Sequence, residues 1–224
     1  MQDAARAIIS FTDSNAYKKE RKQNEQPESE STDSLIEIKA YLEYLRNKFR
    51  NNNAIKIMIK NQNLLQSITL LTIFKLGNHS NQEIDRLRLN VRCYSRQCLS
   101  WIQYTGDEQD IADLVNVGYG KVTCISFSTA GGIGEEEDEE IYIRLNRISD
   151  FLREQHEWRN NSWQPSFQPL PFLARRTEEQ IEEEGANEEV EAQMINNGYN
   201  GTIKDTANST KAETLNHFIN RRRM

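Results

Sequence analysis

The sequence predicts a mainly α-helical protein: a compact multi-helix domain with a small two-stranded β element, between disordered N- and C-terminal tails. Three observations point there. Apolar residues recur at three- and four-residue spacing through residues 34–106, the mark of amphipathic helices. Two β-branched, alternating runs lie farther on. Both ends are polar and poor in large aliphatic residues.

Residues 1–33 read as a disordered tail, because Lys18–Asp33 is filled with Lys, Glu, Gln, Asn and Ser. Ile8, Ile9 and Phe11 could at most form a short docking turn.

Residues 34–106 read as a three-helix segment. In the first helix Asp33 or Ser34 is the cap, Leu35, Ile38, Leu42, Leu45 and Phe49 form the stripe, and Asn51–Asn53 ends it. The second spans about 54–76, with Ile57, Leu64, Ile68, Leu71 and Phe74 to bury and Gly77 where a C′ glycine belongs. The third starts after Ser80 or Asn81 and runs to Tyr104, with Ile84, Leu87, Val91, Tyr94, Cys98 and Trp101 as its apolar stripe. Turns this short favour antiparallel packing.

Residues 107–173 read as a short helix, a β-ribbon, a helix and a strap, packing on the helical segment. Asp107–Val117 makes the short acidic helix. Val122–Phe127 and Ile141–Leu145 are the two expected strands, joined by a glycine-rich turn and the acids Glu135–Glu140. A helix that starts inside the acid run and passes through Leu145 is the alternative. Ile148, Phe151, Leu152 and Trp158 mark the next helix. Residues 159–173 carry Pro165, Pro169 and Pro171 among Trp163, Phe167, Leu170 and Phe172, so an extended path is expected. Such a strap either packs its aromatics on the domain or offers Trp163, Phe167 and Phe172 to a partner. Residues 174–224 read as an acidic, largely disordered tail, in which Thr177–Ile195 can form a solvent-exposed helix interrupted near Gly185 and a short last helix over 213–220 ends in Arg221–Arg223.

Charge is segregated along this plan. The chain holds 28 Lys+Arg against 34 Asp+Glu, a net charge of -6. Yet residues 34–106 carry 11 basic against 4 acidic residues, and residues 107–224 carry 12 against 23. Arg88, Arg92 and Arg96 are four apart on one helix face, and Lys56 and Lys60 likewise. Lys39, Arg46 and Arg50 share a side of the first helix. Guanidinium forks suit phosphate, so Lys56, Lys60, Arg88, Arg92 and Arg96 are the candidate nucleic-acid or polyanion contacts. The plainer readings are a solvated helix face, or a stripe covered by the protein's own acidic runs.

The search for chemistry is mostly negative. Gly118-Tyr119-Gly120-Lys121 resembles the end of a phosphate loop, but position 115 is Val where the loop needs Gly, and 122 is Val where it needs Ser or Thr. Three histidines, His79, His156 and His217, are scattered, and no metal-ligand spacing occurs. Cys124 with His156 could only notionally be nucleophile and base. The sequence therefore predicts neither catalytic residues, nor a metal, nor a cofactor. The three cysteines form no CxxC pair, no signal peptide is evident, and no run reaches a membrane span, so a cytoplasmic or nuclear protein is expected rather than a secreted one.

A non-enzymatic regulatory or accessory interaction protein, with protein partners, is the function this combination suits. Many viral accessory proteins share the plan. The alternatives are an RNA- or DNA-binding regulator using Arg88, Arg92 and Arg96, and a self-assembling structural protein whose helices pair between chains.

Overall fold

In the computed structural model the described residues are 2–21, 31–48, 56, 59–127 and 138–220. They are mainly helical and divide into two compact units, Met1–Tyr104 and Thr105–Met224. The division falls where the sequence changes character after the third helix.

The first unit contains α1 (Gln2–Arg21), α2 (Thr32–Lys48), α3 (Gln62–Leu71) and α4 (Gln82–Thr105, which ends one residue past the division). The stripe expected on α2 is buried at Leu35, Ile38, Leu42 and Leu45; Phe49 lies outside the described residues. α3 is shorter than the expected 54–76. Asn61 restarts the helix by accepting the Leu64 amide at 3.2 Å, and most of residues 51–58 are not described. Past Leu71 the chain tightens into three-residue turns, with Phe74 N donating to Leu71 O at 3.3 Å and Leu76 N to Ile73 O at 3.2 Å. α4 begins where Asn81 Oδ1 accepts the Ile84 amide at 2.9 Å.

The expected N-terminal tail is different. Gln2–Arg21 is helical and packs on α2 and α3. Its contacts come from Ala4, Ile8 and Thr12, four residues apart and all buried, and from Phe11, whose ring lies 5.5 Å from that of Phe74. Two of those positions are small or polar, which is why the stripe is faint in the sequence.

The second unit contains α5 (Glu108–Asn116), α6 (Tyr119–Phe127), α7 (Asp138–His156), α8 (Pro171–Glu183), α9 (Ala186–Gln193), a 3-10 turn (Tyr199–Gly201) and α10 (Thr202–Asn220). The acidic helix α5 is as expected. Asp107 and Asp110 cap each other reciprocally, each side chain accepting the other's amide at 3.2 and 2.8 Å. α5 ends at Gly118, whose φ of +80° is one that side chains resist.

No β-strand is present among the described residues, which corrects the expected two-stranded element. Val122–Phe127 lies in α6 and Ile141–Leu145 in α7; the helical alternative for the second run holds, with a start at Asp138. The reason for the first error is burial on nearly every side. Tyr119, Val122, Thr123, Cys124, Ser126 and Phe127 are all buried, so no polar face reveals the helical period. Gly120 belongs to this packing, since a Cβ there would sit 3.1 Å from Thr177 Cγ2. The glycines that resemble a phosphate loop thus serve a helix end and a helix crossing.

The expected acidic tail is also ordered into helices over the described residues. α8 packs on α6 and α7, and α10 packs on α7 and α9. α10 buries Ile203, Ala207 and Thr210, and Thr210 Oγ1 donates to Leu145 O at 3.3 Å. At the centre of the unit, Tyr119 meets Phe151 edge-on with ring centroids 5.0 Å apart.

Candidate docking strap and buried arginines

The arginine stripe of α4 does not face solvent. Arg88, Arg92 and Arg96 are 8, 3 and 2% exposed. Arg96 Nε donates to Thr72 O at 3.0 Å, Arg92 Nη1 to Phe74 O at 3.3 Å, and Arg88 Nη1 to Asn78 O at 2.7 Å. Those carbonyls follow one another along the turns that close α3. A helix end leaves carbonyls without ladder partners and carries partial negative charge. The four-residue spacing of the arginines matches donors to successive acceptors along that path. Arg88 also meets Asp85 at 3.4 Å.

Lys56 and Lys60 are exposed, so the five cations are split between surface and interior rather than gathered on one face. Lys39 is half-buried, and Arg46 lies 4.9 Å over the Tyr94 ring while donating to Gln97 Oε1 at 3.2 Å. Arg50 lies outside the described residues.

The strap is held by a residue the sequence reading passed over. Arg159 is 3% exposed, and its guanidinium reaches four groups. Nε donates to Pro165 O at 2.9 Å, Nη2 to Gly106 O, and Nη1 pairs with Glu154 at 3.4 Å. The guanidinium carbon also lies 4.3 Å over the Phe167 ring. The Arg159 and Phe167 backbones exchange two hydrogen bonds at 3.0 Å as an isolated antiparallel bridge. The far end is pinned where Leu170 N donates to Gln155 O at 2.7 Å, and Pro171 then opens α8 as its first residue. Burial pushes the Glu154 carboxyl up, with Arg159 pulling it back. Burial likewise pushes the Arg159 guanidinium down, with Glu154 opposing. Both directions describe a pair taken out of water.

This frame sorts the aromatics. Phe167 and Leu170 turn inward, at 6 and 9% exposure, whereas Trp158, Trp163 and Phe172 are 59, 70 and 89% exposed. The structure therefore separates the three expected docking residues, keeping Trp163 and Phe172 outside and Phe167 as an anchor. Trp158, expected on a helix stripe, joins the exposed set. Its signal was its place just past the helix end, next to Arg159.

Nearby, His156 Nε2 and Glu178 Oε1 are 2.8 Å apart, and Thr177 Oγ1 donates to Gln155 Oε1 at 3.0 Å, tying α7 to α8. Cys124 is 2% exposed and burial drives its thiol far above the ordinary range, so it stays protonated. Among the described residues no group of His, Cys, Asp and Glu could hold a metal ion, and no helix is long and apolar enough to cross a membrane. No protein family, no curated protein and no solved structure matches the chain.

Proposed function

We propose that this is a non-enzymatic interaction protein that docks a protein partner through the strap between α7 and α8. The observation that carries the reading is the exposure of Trp158, Trp163 and Phe172 on a backbone fastened at Arg159 and Leu170. Exposed aromatics on a fixed backbone lose little conformational freedom on binding, and tryptophan is enriched among the residues that dominate interface energies. A strap whose only role was to cover the core would turn its largest side chains inward.

The polyanion reading loses support because the guanidinium groups it relied on are buried against carbonyls of the segment that follows α3. The test is affinity capture with mass spectrometry, comparing the wild-type chain with a Trp163→Ala, Phe172→Ala double variant in the presence of nuclease. Loss of the same protein partner at unchanged melting temperature supports the role. Identical capture by both chains overturns it.

A further inference from the structure

We infer that the partner contributes a basic segment with its own apolar anchor, seated on the face that begins at the strap and continues along α8; this rests on the docking role proposed for the strap. Residues 160–174 contain no Asp, Glu, Lys or Arg, in a chain that is 28% charged. A neutral aromatic stretch can be covered without stranding a charge, as interface centres require.

From there the surface changes sign along one helix face. Phe172, Arg175, Arg176, Glu179, Glu182 and Glu183 fall at helical spacing on one side of α8, and all six are exposed. The two arginines are engaged within the molecule: Arg175 Nε pairs with Glu179 at 3.0 Å, and Arg176 Nη1 donates to Asn116 Oδ1 at 2.6 Å. Lys121 pairs with Glu184 and also feels the Glu183 charge, while Glu182 makes no ion pair among the described residues. The helical rise puts these carboxylates roughly 15 Å along the axis from Phe172. Farther on, α9 adds the exposed Glu188, whereas Glu191 is paired with Lys211 at 2.6 Å.

The wider field has the same sign. Residues 107–224 hold 23 acidic against 12 basic residues; Asp110, Glu178 and Glu189 are buried, as are Arg144 and Arg159, so the acidic excess remains outside. Such a surface speeds encounter with cations and opposes a nucleic acid or an anionic membrane. Within this chain Arg88, Arg92 and Arg96 are buried and offer no cationic face of their own.

The experiment pans a phage-displayed library of random peptides on the full chain at low salt, then measures the selected peptides on variants that keep the wild-type melting temperature. The expected peptides combine Lys or Arg with Leu, Phe or Trp. Their affinity should fall about tenfold or more with Trp163→Ala and Phe172→Ala. It should also fall with Glu182→Lys and Glu183→Lys, and with added salt. Strap-dependent peptides that are neutral or acidic, or that ignore the glutamate reversals, overturn the basic class and leave the docking role standing. Peptides indifferent to Trp163 and Phe172, or no enrichment at all, overturn both. A dimer in sedimentation that dissociates with Phe172→Ala would assign the face to a second copy and overturn the basic partner.

Discussion

Arg96 donates from Nε to the carbonyl of Thr72 at 3.0 Å, across 24 residues of sequence. The bond turns what reads as a phosphate-binding stripe into a brace for the end of α3. Replacing Arg96 by Met keeps most of the stem and removes every donor, leaving a buried carbonyl unpaired. Loss of a charged hydrogen bond of this kind should cost about 2–3 kcal/mol, read from urea unfolding. Arg86→Met on the exposed side of the same helix should stay within about 0.5 kcal/mol. Equal effects at the two positions would remove the bracing role.

Arg159 should be the most sensitive residue of the strap. Arg159→Met strands the Glu154 carboxylate and frees the carbonyls of Pro165 and Gly106, so a loss of about 3 kcal/mol is expected. Limited proteolysis should then cut within residues 160–170, where the wild-type chain resists. A resistant, fully stable variant would show that the strap holds without its arginine.

What the sequence disclosed, and what it withheld, follows the range of the interactions. α2, α4 and α5 are legible because their caps and stripes are local: Asn81 and Asp107 announce helix starts within three residues. α6 was hidden because helical periodicity needs a polar face and Val122–Phe127 has almost none. α1 and α10 were hidden because Ala4, Thr12, Ala207 and Thr210 pack closely without raising local hydropathy. The strap's path was legible from its prolines. Which aromatics turn inward was not, because Arg159 decides it, and nothing in local sequence distinguishes a guanidinium destined for Gly106 O from one destined for water.

The strap should divide cleanly under mutation. Phe167 is buried beneath the Arg159 guanidinium, so Phe167→Ala should cost about 3 kcal/mol or more. Trp163→Ala and Phe172→Ala remove exposed rings and should each change stability by no more than about 0.5 kcal/mol. Thermal melts of the three variants check this, and a large loss at Trp163 would return it to a packing role.

Thiol reactivity should be uneven. Cys98 and Cys124 are buried, and burial drives both thiols far above the ordinary range; Cys93 is half-buried. A disulfide reagent at mildly alkaline pH should label Cys93 in the native chain and all three cysteines after denaturation. Prompt native labelling of Cys124 would contradict the packing of α6.

Glu154 gives a signed pH dependence. Burial, its largest influence, raises the folded pKa above the ordinary 4.5, with Arg159 only partly opposing. The folded state therefore keeps a proton at pH values where the unfolded chain has already lost it. The stability this favours is full below the unfolded pKa and is lost as pH rises through the raised folded value. Glu154→Gln cannot titrate, so it lacks this slope but carries a constant penalty for the weakened Arg159 pair. The wild-type advantage over Glu154→Gln should accordingly shrink as pH climbs from the unfolded value through the folded one, then level off. Urea unfolding of both proteins at several pH values between acid and neutral measures it. A wild-type advantage that grows with pH would mean that the Arg159 charge, rather than burial, dominates the carboxylate.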